Sequence, residues 1–307
     1  MSVATYVLHR VAQALLVLFT VSVLSFGLVY LTGDPASALV PLDATPDDVD
    51  VIRRGFGLDQ PLYVQYGRFV GRALRGDLGQ SFRYRTNSLE LVIERLPKTV
   101  LLAVASMVLA TVVSIPLGVL AATARRGPGD YLATGLSMLM ISTPAFWLGI
   151  LLILLFADQL ALLPAAGAGS WRHLVLPAVT LAASSIGLLT RLVRATMTEV
   201  LRQGYIVTAS AKGVSRAAIL YRHALRNCLI PVITVLGLQL GALLGGAVVV
   251  ESVFAWPGVG WLLVQGIATR DLPLIRSAVL VIATLFVAIN LAVDLLYGCV
   301  DPRIRHA

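Results

Sequence analysis

Few side chains in this sequence could support catalysis or metal binding on their own. Cys228 and Cys299 are the only cysteines, too few for a disulfide framework or a four-cysteine metal site. The histidines are far apart in sequence, and none belongs to the HExxH pattern that places two histidines on one helix face. They are His9, His173, His223 and His306. We therefore predict no catalytic residue and no metal ligand in this chain.

Nucleotide chemistry is not indicated either. A P-loop contains Gly-Lys-Ser/Thr because its lysine must reach the phosphates, and this chain has only two lysines. Lys98 follows Pro97 and Lys212 follows Ala211, so neither belongs to such a motif. The sequence also lacks GxSxG, the motif of a serine nucleophile on a sharp turn. We expect no cofactor in this chain, and nothing in it supports an enzyme acting alone.

The composition points to the membrane instead. The chain has 307 residues, of which 13% are charged, whereas a soluble globular protein carries roughly 25%. Its apolar share is 58% and its mean hydropathy is +0.86. These values exclude disorder, a coiled coil and an ordinary soluble enzyme, and they predict a protein that is largely solvated by lipid.

Six apolar segments are long enough to cross a bilayer. A helix needs about 20 apolar residues to cross about 30 Å of hydrocarbon, and it satisfies its backbone groups internally. The run from Val11 to Leu31 has no charge and is too long for a signal peptide, so we interpret it as a retained anchor. The predicted spans are 11–31, 99–122, 132–157, 174–193, 228–250 and 277–298.

The distribution of basic residues predicts that both termini lie in the cytoplasm (N-in/C-in). In that arrangement the inner segments carry twelve basic and three acidic residues, whereas the first outer loop, 32–98, carries nine of each. Lys and Arg concentrate in the cytoplasmic loops of membrane proteins. The inner face then carries +9, the outer loops are neutral, and Asp294 in the last span brings the formal net charge to +8. A basic inner face also suits anionic lipid headgroups. We therefore expect the lipid bilayer, and no nucleic acid, as a partner.

The outer loop 32–98 is too long to lack structure. Thr45-Pro46-Asp47-Asp48 resembles a helix start, because acids occupy the first turn. A stripe of apolar residues at helical spacing follows, which we expect to pack on the ends of the spans rather than lie in the membrane interface. The stripe consists of Tyr63, Tyr66, Phe69, Val70 and Leu74.

The inner connection, 194–227, is basic and is predicted to form two short helices. Gly213 breaks the pattern, and Ser215 could cap a second helix over Arg216 to Ala224. The pair would project from the membrane as a small knob, which is either a solvated basic loop or a docking surface. Mostly apolar or small residues lie at helical spacing before the break: Val200, Leu201, Tyr205, Thr208, Ala209, Lys212 and Gly213.

Several features of the spans have both a packing and a functional interpretation. Asn290 and Asp294 share one helix face, and an intramembrane acid is a functional candidate, although Asp294 lies close enough to the inner end to anchor there. Prolines at three positions mark either bent helices along a pathway or local kinks. They are Pro116, Pro144 and Pro177. Small residues recur every four positions in a pattern that lets helices approach closely, at Gly237, Gly241 and Gly245.

Short motifs, in order and at matching spacing, resemble a known family of bacterial membrane proteins. The first part of the chain contains Gly33-Asp34-Pro35, Gly57-Leu58-Asp59-Gln60-Pro61-Leu62 and Gly76-Asp77-Leu78-Gly79-Gln80-Ser81. The last part contains Glu251-Ser252-Val253-Phe254-Ala255-Trp256-Pro257-Gly258-Val259-Gly260, Arg270-Asp271-Leu272-Pro273, Asp294-Leu295-Leu296-Tyr297 and Asp301-Pro302-Arg303. Nearly end to end, the chain resembles the membrane permease of a bacterial ABC importer of the peptide, opine and nickel group. It is most like the first, or "B", permease for dipeptides or oligopeptides.

The inner connection carries a relaxed form of this family's loop motif, which is EAA, three residues, Gly, nine residues, then I-x-L-P. Matches and departures are as follows: Ala209, Gly213 and Leu225 match, whereas Val207, Thr208, His223 and Arg226 replace the Glu, the first Ala, the Ile and the Pro. By resemblance, this segment is the coupling helix that docks on an ATPase subunit. The resemblance implies these coupling residues: Tyr205, Thr208, Ala209, Lys212, Gly213, His223, Leu225 and Arg226.

The resemblance also implies an architecture and a set of partners. The expected fold is the all-α, type I ABC importer permease fold, divided into residues 1–31 (first membrane helix), 32–98 (extracytoplasmic loop) and 99–307 (five-helix core with the coupling loop 194–227). Expected partners are a second homologous permease, one or two ATPase subunits that hold ATP and Mg, and an extracytoplasmic substrate-binding protein. That protein is expected to contact Asp34, Pro35, Leu58, Asp59, Gln60 and Pro61.

The function implied by the resemblance is transport across the bacterial cytoplasmic (inner) membrane. The chain would form half of a pathway for dipeptides or oligopeptides. Nickel, metal chelates or opines are the alternative substrates within the family, because the outer loop 158–173, with Leu163-Pro164-Ala165-Ala166-Gly167, also looks like the nickel-type permeases. A membrane channel is the alternative of another class, and it would conduct without ATPase partners.

Overall fold

A computed structural model describes residues 3–31, 45–55, 58–124 and 127–300. Within these ranges all regular structure is helical, apart from one isolated antiparallel bridge between Gln80 and Asn87. The helices are α1 (Val3–Leu31), α2 (Pro46–Gly55), α3 (Leu62–Ala73), α4 (Ser88–Thr123), α5 (Pro128–Ser142), α6 (Ala145–Leu152), α7 (Arg172–Val200), α8 (Gly204–Ala211), α9 (Arg216–Ala218), α10 (Leu225–Val253), α11 (Val259–Ala268) and α12 (Leu272–Val300). Two π-helical segments, Ile153–Gln159 and Ile219–Ala224, continue α6 and α9.

Five helices are long and apolar enough to cross a membrane: α1, α4, α7, α10 and α12. A sixth span exists only if α5 and the α6 segment count together, because they meet at an angle of 106°. The prediction of one continuous helix over 132–157 is therefore wrong. The physical reason is Pro144, since a proline disfavours the helical conformation in the residue before it, and Thr143 is extended, with φ −83° and ψ 120°.

Helix α4 begins within the predicted outer loop, which is therefore shorter than 32–98. It starts at Ser88 and has 36 residues, so it is about 54 Å long at 1.5 Å per residue. That length exceeds the roughly 30 Å of a bilayer's hydrocarbon core. Residues 88–98 thus belong to the second membrane helix and not to a loop.

The helices fall into two compact units, and the first comprises residues 1–96 and 262–307. In this unit α1 packs against α12. Arg10 forms an ion pair with Asp294 at 3.3 Å, whereas the Arg276 guanidinium lies 5.7 Å from the centre of the Phe26 ring. The start of α1, at Arg10, thus meets the end of α12, whereas the end of α1, at Phe26, meets the start of α12. The two helices are therefore antiparallel, and Asp294 is paired with a cation of the neighbouring helix.

The apolar stripe on α3 packs only in part. The hydroxyl groups of Tyr66 and Ser22 share a hydrogen bond at 2.7 Å, and Phe69 is buried against Phe26 of α1. Tyr63 and Leu74, by contrast, are 77% and 84% exposed. The expected packing of the stripe on a span is confirmed for Tyr66 and Phe69 and is wrong for the two ends.

The second unit comprises residues 97–261, with α7 at its centre. Helix α7 packs against α5, α6 and α10, and it buries about half of its side chains. Two glycines permit these close approaches. A Cβ atom at Gly187 would lie 2.5 Å from the Ser137 carbonyl oxygen of α5, and one at Gly118 of α4 would lie 2.5 Å from Val193 Cβ.

Candidate functional site

The inner connection folds as a short helix that ends at a left-handed glycine. Gly213 has a φ of +77°, and its N–H donates to the Ser210 carbonyl at 3.0 Å. The Val214 N–H donates to the Ala209 carbonyl at 3.2 Å, which completes the Schellman pattern of a helix C-terminus. No other group lies within 4 Å of a Cβ placed on Gly213. Backbone conformation, and not crowding, therefore requires glycine at this position.

The second helix of the predicted pair forms, but it does not end as a separate element. The Ser215 hydroxyl accepts a hydrogen bond from the Ala218 N–H at 3.4 Å, which is the predicted cap. Helix α9 and the π-helical segment Ile219–Ala224 then run without a break into α10. The predicted helix from Arg216 to Ala224 is thus the first turns of a membrane helix.

The knob is fixed to the membrane-spanning part of its unit by an apolar core. Ile206 of α8 and Ile219 of the π-helical segment are both buried. They belong to one cluster with Met197 of α7 and Val232 of α10. A displacement of α8 would therefore be transmitted to α7 and α10 through close-packed side chains.

The predicted coupling residues divide between this core and the surface. Ala209 and Leu225 pack against the buried cluster, whereas Tyr205, Thr208, Lys212 and Arg226 are exposed. A surface cavity of about 570 Å³ gathers five side chains from α8 and the entry to α10. They are Tyr205, Arg222, His223, Arg226 and Asn227. We name this cavity the basic pocket.

A second polar site, which the sequence did not assign, surrounds Glu251 at the end of α10. The Glu251 side chain is fully buried and accepts from the Thr99 hydroxyl at 2.7 Å and from the Trp261 N–H at 3.0 Å. Thr99 in turn accepts from the Val259 N–H at 2.8 Å. The Trp256 ring N–H donates to the Lys98 carbonyl at 3.0 Å. These six residues, the Glu251 cluster, connect α4 to both ends of the 251–261 segment.

Two glycines that follow Glu251 are explained by their close approach to the end of α10. A Cβ atom at Gly258 would collide with the Glu251 carboxyl group, and one at Gly260 would lie 2.5 Å from the Val248 Cα. The motif noted in the sequence from Glu251 to Gly260 is thus one folded unit. Its partner Thr99 lies 152 residues earlier, so no local pattern could have identified it.

Two other sequence motifs meet in the first unit. The Ser81 hydroxyl donates to the buried Asp271 carboxylate at 2.5 Å, and the Arg83 N–H donates to the same oxygen at 3.2 Å. Ser88 and Ser277 share a hydrogen bond at 2.7 Å. The end of the outer loop is therefore held against the start of α12.

The residues proposed to contact a binding protein are only partly described. Asp34 and Pro35 lie outside the described residues. The segment that contains Leu58, Asp59, Gln60 and Pro61 is held in place by Gln65, whose side-chain amide donates to the carbonyls of Leu58 and Gln60. Their role in docking remains a prediction.

The glycines of the pattern on α10 differ in their surroundings. Gly241 is buried, whereas Gly245 is exposed and has no atom within 4 Å of a Cβ position. The neighbouring Gly246, which is not in the pattern, makes the close approach, with Leu181 3.3 Å from its Cβ position. Packing through Gly237, Gly241 and Gly245 stays a prediction.

An ion pair that the sequence did not reveal joins α5 to α7. Arg194 donates to both oxygens of the buried Asp130 carboxylate, at 2.6 and 2.9 Å. This bidentate geometry is the stronger form of an Arg–carboxylate contact. It fixes the last turns of α7, ten residues before α8 begins.

No metal-binding group is apparent in the ranges that the structure describes. Nowhere in them do three or more His, Cys, Asp or Glu side chains come close enough together to hold an ion. The expectation that the chain itself binds no cofactor stays a prediction.

Two family models cover the chain. The model described as "Binding-protein-dependent transport system inner membrane component" matches residues 114–306. The model described as "Binding-prot-dependent transport system membrane comp, N-term" matches residues 3–103. The Glu251 cluster, the basic pocket and α8 lie wholly or largely within the first match.

Relatives and solved structures give the same picture. The chain is 42% identical over 302 residues to the glutathione transport system permease protein GsiC of Escherichia coli K12, covering 98% of this chain and 99% of the relative. The GsiC protein of Shigella flexneri serotype 5b is 41% identical over 302 residues, with the same coverage. A chain in an inward-facing crystal form of the MetNI methionine ABC transporter has a TM-score of 0.56 at 19% identity. The alignment covers 69% of this chain and 96% of that one, and it confirms the expected type I permease fold.

Proposed function

Because the chain belongs to the family of binding-protein-dependent transport system inner membrane components, we propose that it forms half of the translocation pathway of an importer for short peptides, including the tripeptide glutathione. The observation that carries this proposal is identity of 42% over 98% of the chain to a glutathione permease. Its relatives are permease subunits, not enzymes, and it is an inner-membrane protein.

Transport by such a subunit requires partners that supply energy and substrate. We propose a second permease that completes the pathway, ATPase subunits that bind and hydrolyse ATP with Mg, and an extracytoplasmic substrate-binding protein. ATP shifts the permease between its two states only to the extent that the ATPase subunits bind those states differently. The permease therefore needs a surface on which the ATPase can act.

Helix α8 is that surface in our proposal. It is exposed on one side and is fixed on the other side, through Ile206, to a core that includes α7 and α10. A force applied to α8 would thus reach two membrane-spanning helices. The left-handed Gly213 sets the direction in which the chain leaves α8, so it sets the shape of the docking surface.

A pair of glycine variants tests the role of this surface. Gly213→Asp introduces a side chain at a φ of +77°, in the left-handed region that costs an L-residue up to about 1–2 kcal/mol, whereas Gly204→Asp adds the same side chain at an ordinary φ in open space. We expect Gly213→Asp to uncouple ATP hydrolysis from uptake or to prevent assembly, with Gly204→Asp as the matched control. A Gly213→Asp complex that assembled and transported normally would contradict the coupling role.

The substrate class is tested with the purified complex in lipid, together with its binding protein. ATP hydrolysis is measured with glutathione, dipeptides, longer peptides and Ni²⁺ chelates. We expect glutathione or short peptides to stimulate hydrolysis, and the chelates to have no effect. Stimulation by a nickel chelate alone would assign the chain to the metal branch of the family. Solute flux through the permease in liposomes without ATPase subunits would identify a channel.

A further inference from the structure

The basic pocket lies between α8 and the entry to α10, and three of the five side chains that line it are basic. Arg222, Arg226 and His223 come from one turn and a half of helix, and Tyr205 of α8 faces them. The whole connection 194–227 contains six basic residues and a single acid, Glu199. A cavity of about 570 Å³ is large enough for a side chain together with its flanking backbone.

The walls of the basic pocket are already ordered. The Asn227 side-chain amide donates to the Tyr205 hydroxyl at 2.7 Å and to the His223 carbonyl at 3.2 Å. Behind these residues, Ile219 and Ala224 are buried in the core of the unit. A partner that enters the pocket would therefore lose little free energy to ordering it.

Among the described residues, no acidic group compensates the charge of the pocket arginines. Over the part of the chain that the structure describes, neither Arg222 nor Arg226 forms an ion pair. The two guanidinium groups are four residues apart, a spacing at which like charges on a helix repel each other. An anion between them would relieve that repulsion, and a carboxylate can accept paired hydrogen bonds from a guanidinium group.

We propose that the basic pocket receives a carboxylate side chain, Asp or Glu, from the ATPase subunit. This inference rests on the proposed function, because it assigns a chemistry to the same docking surface. A protein partner is favoured over a lipid headgroup because Tyr205 and Asn227 line the pocket together with the two arginines. Tyrosine and arginine beside apolar surface are the composition of protein interfaces. Arginine rather than lysine also suits a carboxylate in a buried contact.

The test compares two double variants that lose the same charge from the same loop. Arg222→Gln/Arg226→Gln removes the cations of the pocket, and Arg202→Gln/Arg216→Gln removes two exposed cations outside it. The affinity of the permease pair for its ATPase subunits is measured in nanodiscs of phosphatidylcholine at low and high salt. The neutral lipid removes any contribution from anionic headgroups.

We expect the pocket variant to bind the ATPase about tenfold more weakly at low salt, as the loss of one or two charge-assisted hydrogen bonds predicts. Its affinity should also depend less on salt than that of the unmodified protein. The control should stay within about twofold. Restoration of binding in a charge swap, with Arg222→Glu/Arg226→Glu in the pocket and an Arg in place of one acidic residue on the ATPase surface, would support the contact directly.

Other outcomes would overturn the inference. If the pocket variant bound the ATPase as the control does, while Gly213→Asp still uncoupled transport, the carboxylate contact would be refuted and the proposed function would stand. The same affinity is also measured in nanodiscs that contain phosphatidylglycerol. If the pocket variant bound the ATPase more weakly than the control only in those nanodiscs, the pocket would be a lipid site. Thermal unfolding of both variants serves to separate loss of binding from loss of the fold.

Discussion

Replacing Glu251 with glutamine should destabilise the unit that comprises residues 97–261. The Glu251 carboxyl group uses one oxygen to accept from Thr99 and the other to accept from the Trp261 N–H. The Thr99 oxygen is held in place, because it also accepts from the Val259 N–H. Glutamine offers one acceptor oxygen and one NH₂ group, so one of the two donors would face another donor.

The size of the effect follows from the burial of this cluster. A hydrogen bond to a buried carboxyl group contributes about 2 kcal/mol when its loss leaves the donor unpaired. At roughly 2–4 °C per kcal/mol for a unit of this size, Glu251→Gln should lower the melting midpoint in detergent by about 4–8 °C. Glu251→Ala leaves both donors unpaired and adds a void, so we expect a loss of about 4 kcal/mol or more.

A control on the same structure makes the prediction sharp. Glu94→Gln is the same chemical change at an exposed position on α4, the helix that carries Thr99, and its midpoint should change by less than about 1 °C. In a double-mutant cycle, Glu251→Gln and Thr99→Val should together cost less than the sum of their separate effects. If the Glu251→Gln and Glu94→Gln variants had the same melting midpoint, the hydrogen-bonded cluster would contribute nothing to stability and the reasoning would fail.

Three further results are expected. Gly187→Ala should destabilise the protein by about 1–3 kcal/mol in thermal unfolding, because its Cβ would meet the Ser137 carbonyl. Gly135→Ala, which has open space around its Cβ position, should not. If the two variants unfolded at the same temperature, the close packing of α5 and α7 would be contradicted. Arg194→Gln should cost about 1–3 kcal/mol of stability, because it leaves the buried Asp130 carboxylate without its bidentate partner. In thermal unfolding, the double variant with Asp130→Asn should recover part of this loss, and full additivity of the two effects would argue against a direct contact. With both termini in the cytoplasm, Ser210→Cys in a Cys228→Ala/Cys299→Ala background should react with an impermeant maleimide only in inside-out vesicles, and labelling in right-side-out vesicles would reverse the predicted orientation.

The membrane helices were predictable because their signal is local. A run of about 20 apolar residues is sufficient to identify a span, and α1, α7, α10 and α12 each contain the predicted segment. The Schellman end of α8 was predictable for the same reason, since a glycine that follows a helical pattern commonly adopts the left-handed conformation. The bend at Thr143 was less predictable, because a proline in an apolar run is compatible with either a kink or a complete break.

The polar clusters could not be predicted, because their members are distant in sequence. Glu251 and Asp271 both lie in motifs that the sequence made visible, but their partners Thr99 and Ser81 are 152 and 190 residues away. Periodicity reports which face of a helix is apolar and not which helix it meets. For the same reason the sequence did not single out Gly118 or Gly187, where helices approach closely.

Accumulation of labelled glutathione in proteoliposomes tests the central claim most directly. The liposomes contain the permease pair and its ATPase subunits, and the binding protein is added on the extracytoplasmic side. We predict uptake above the external concentration that requires ATP, the binding protein and an intact Gly213. Equilibration of glutathione without ATP, or through the permease pair alone, would contradict the assignment of this chain as the permease of an ATP-driven importer.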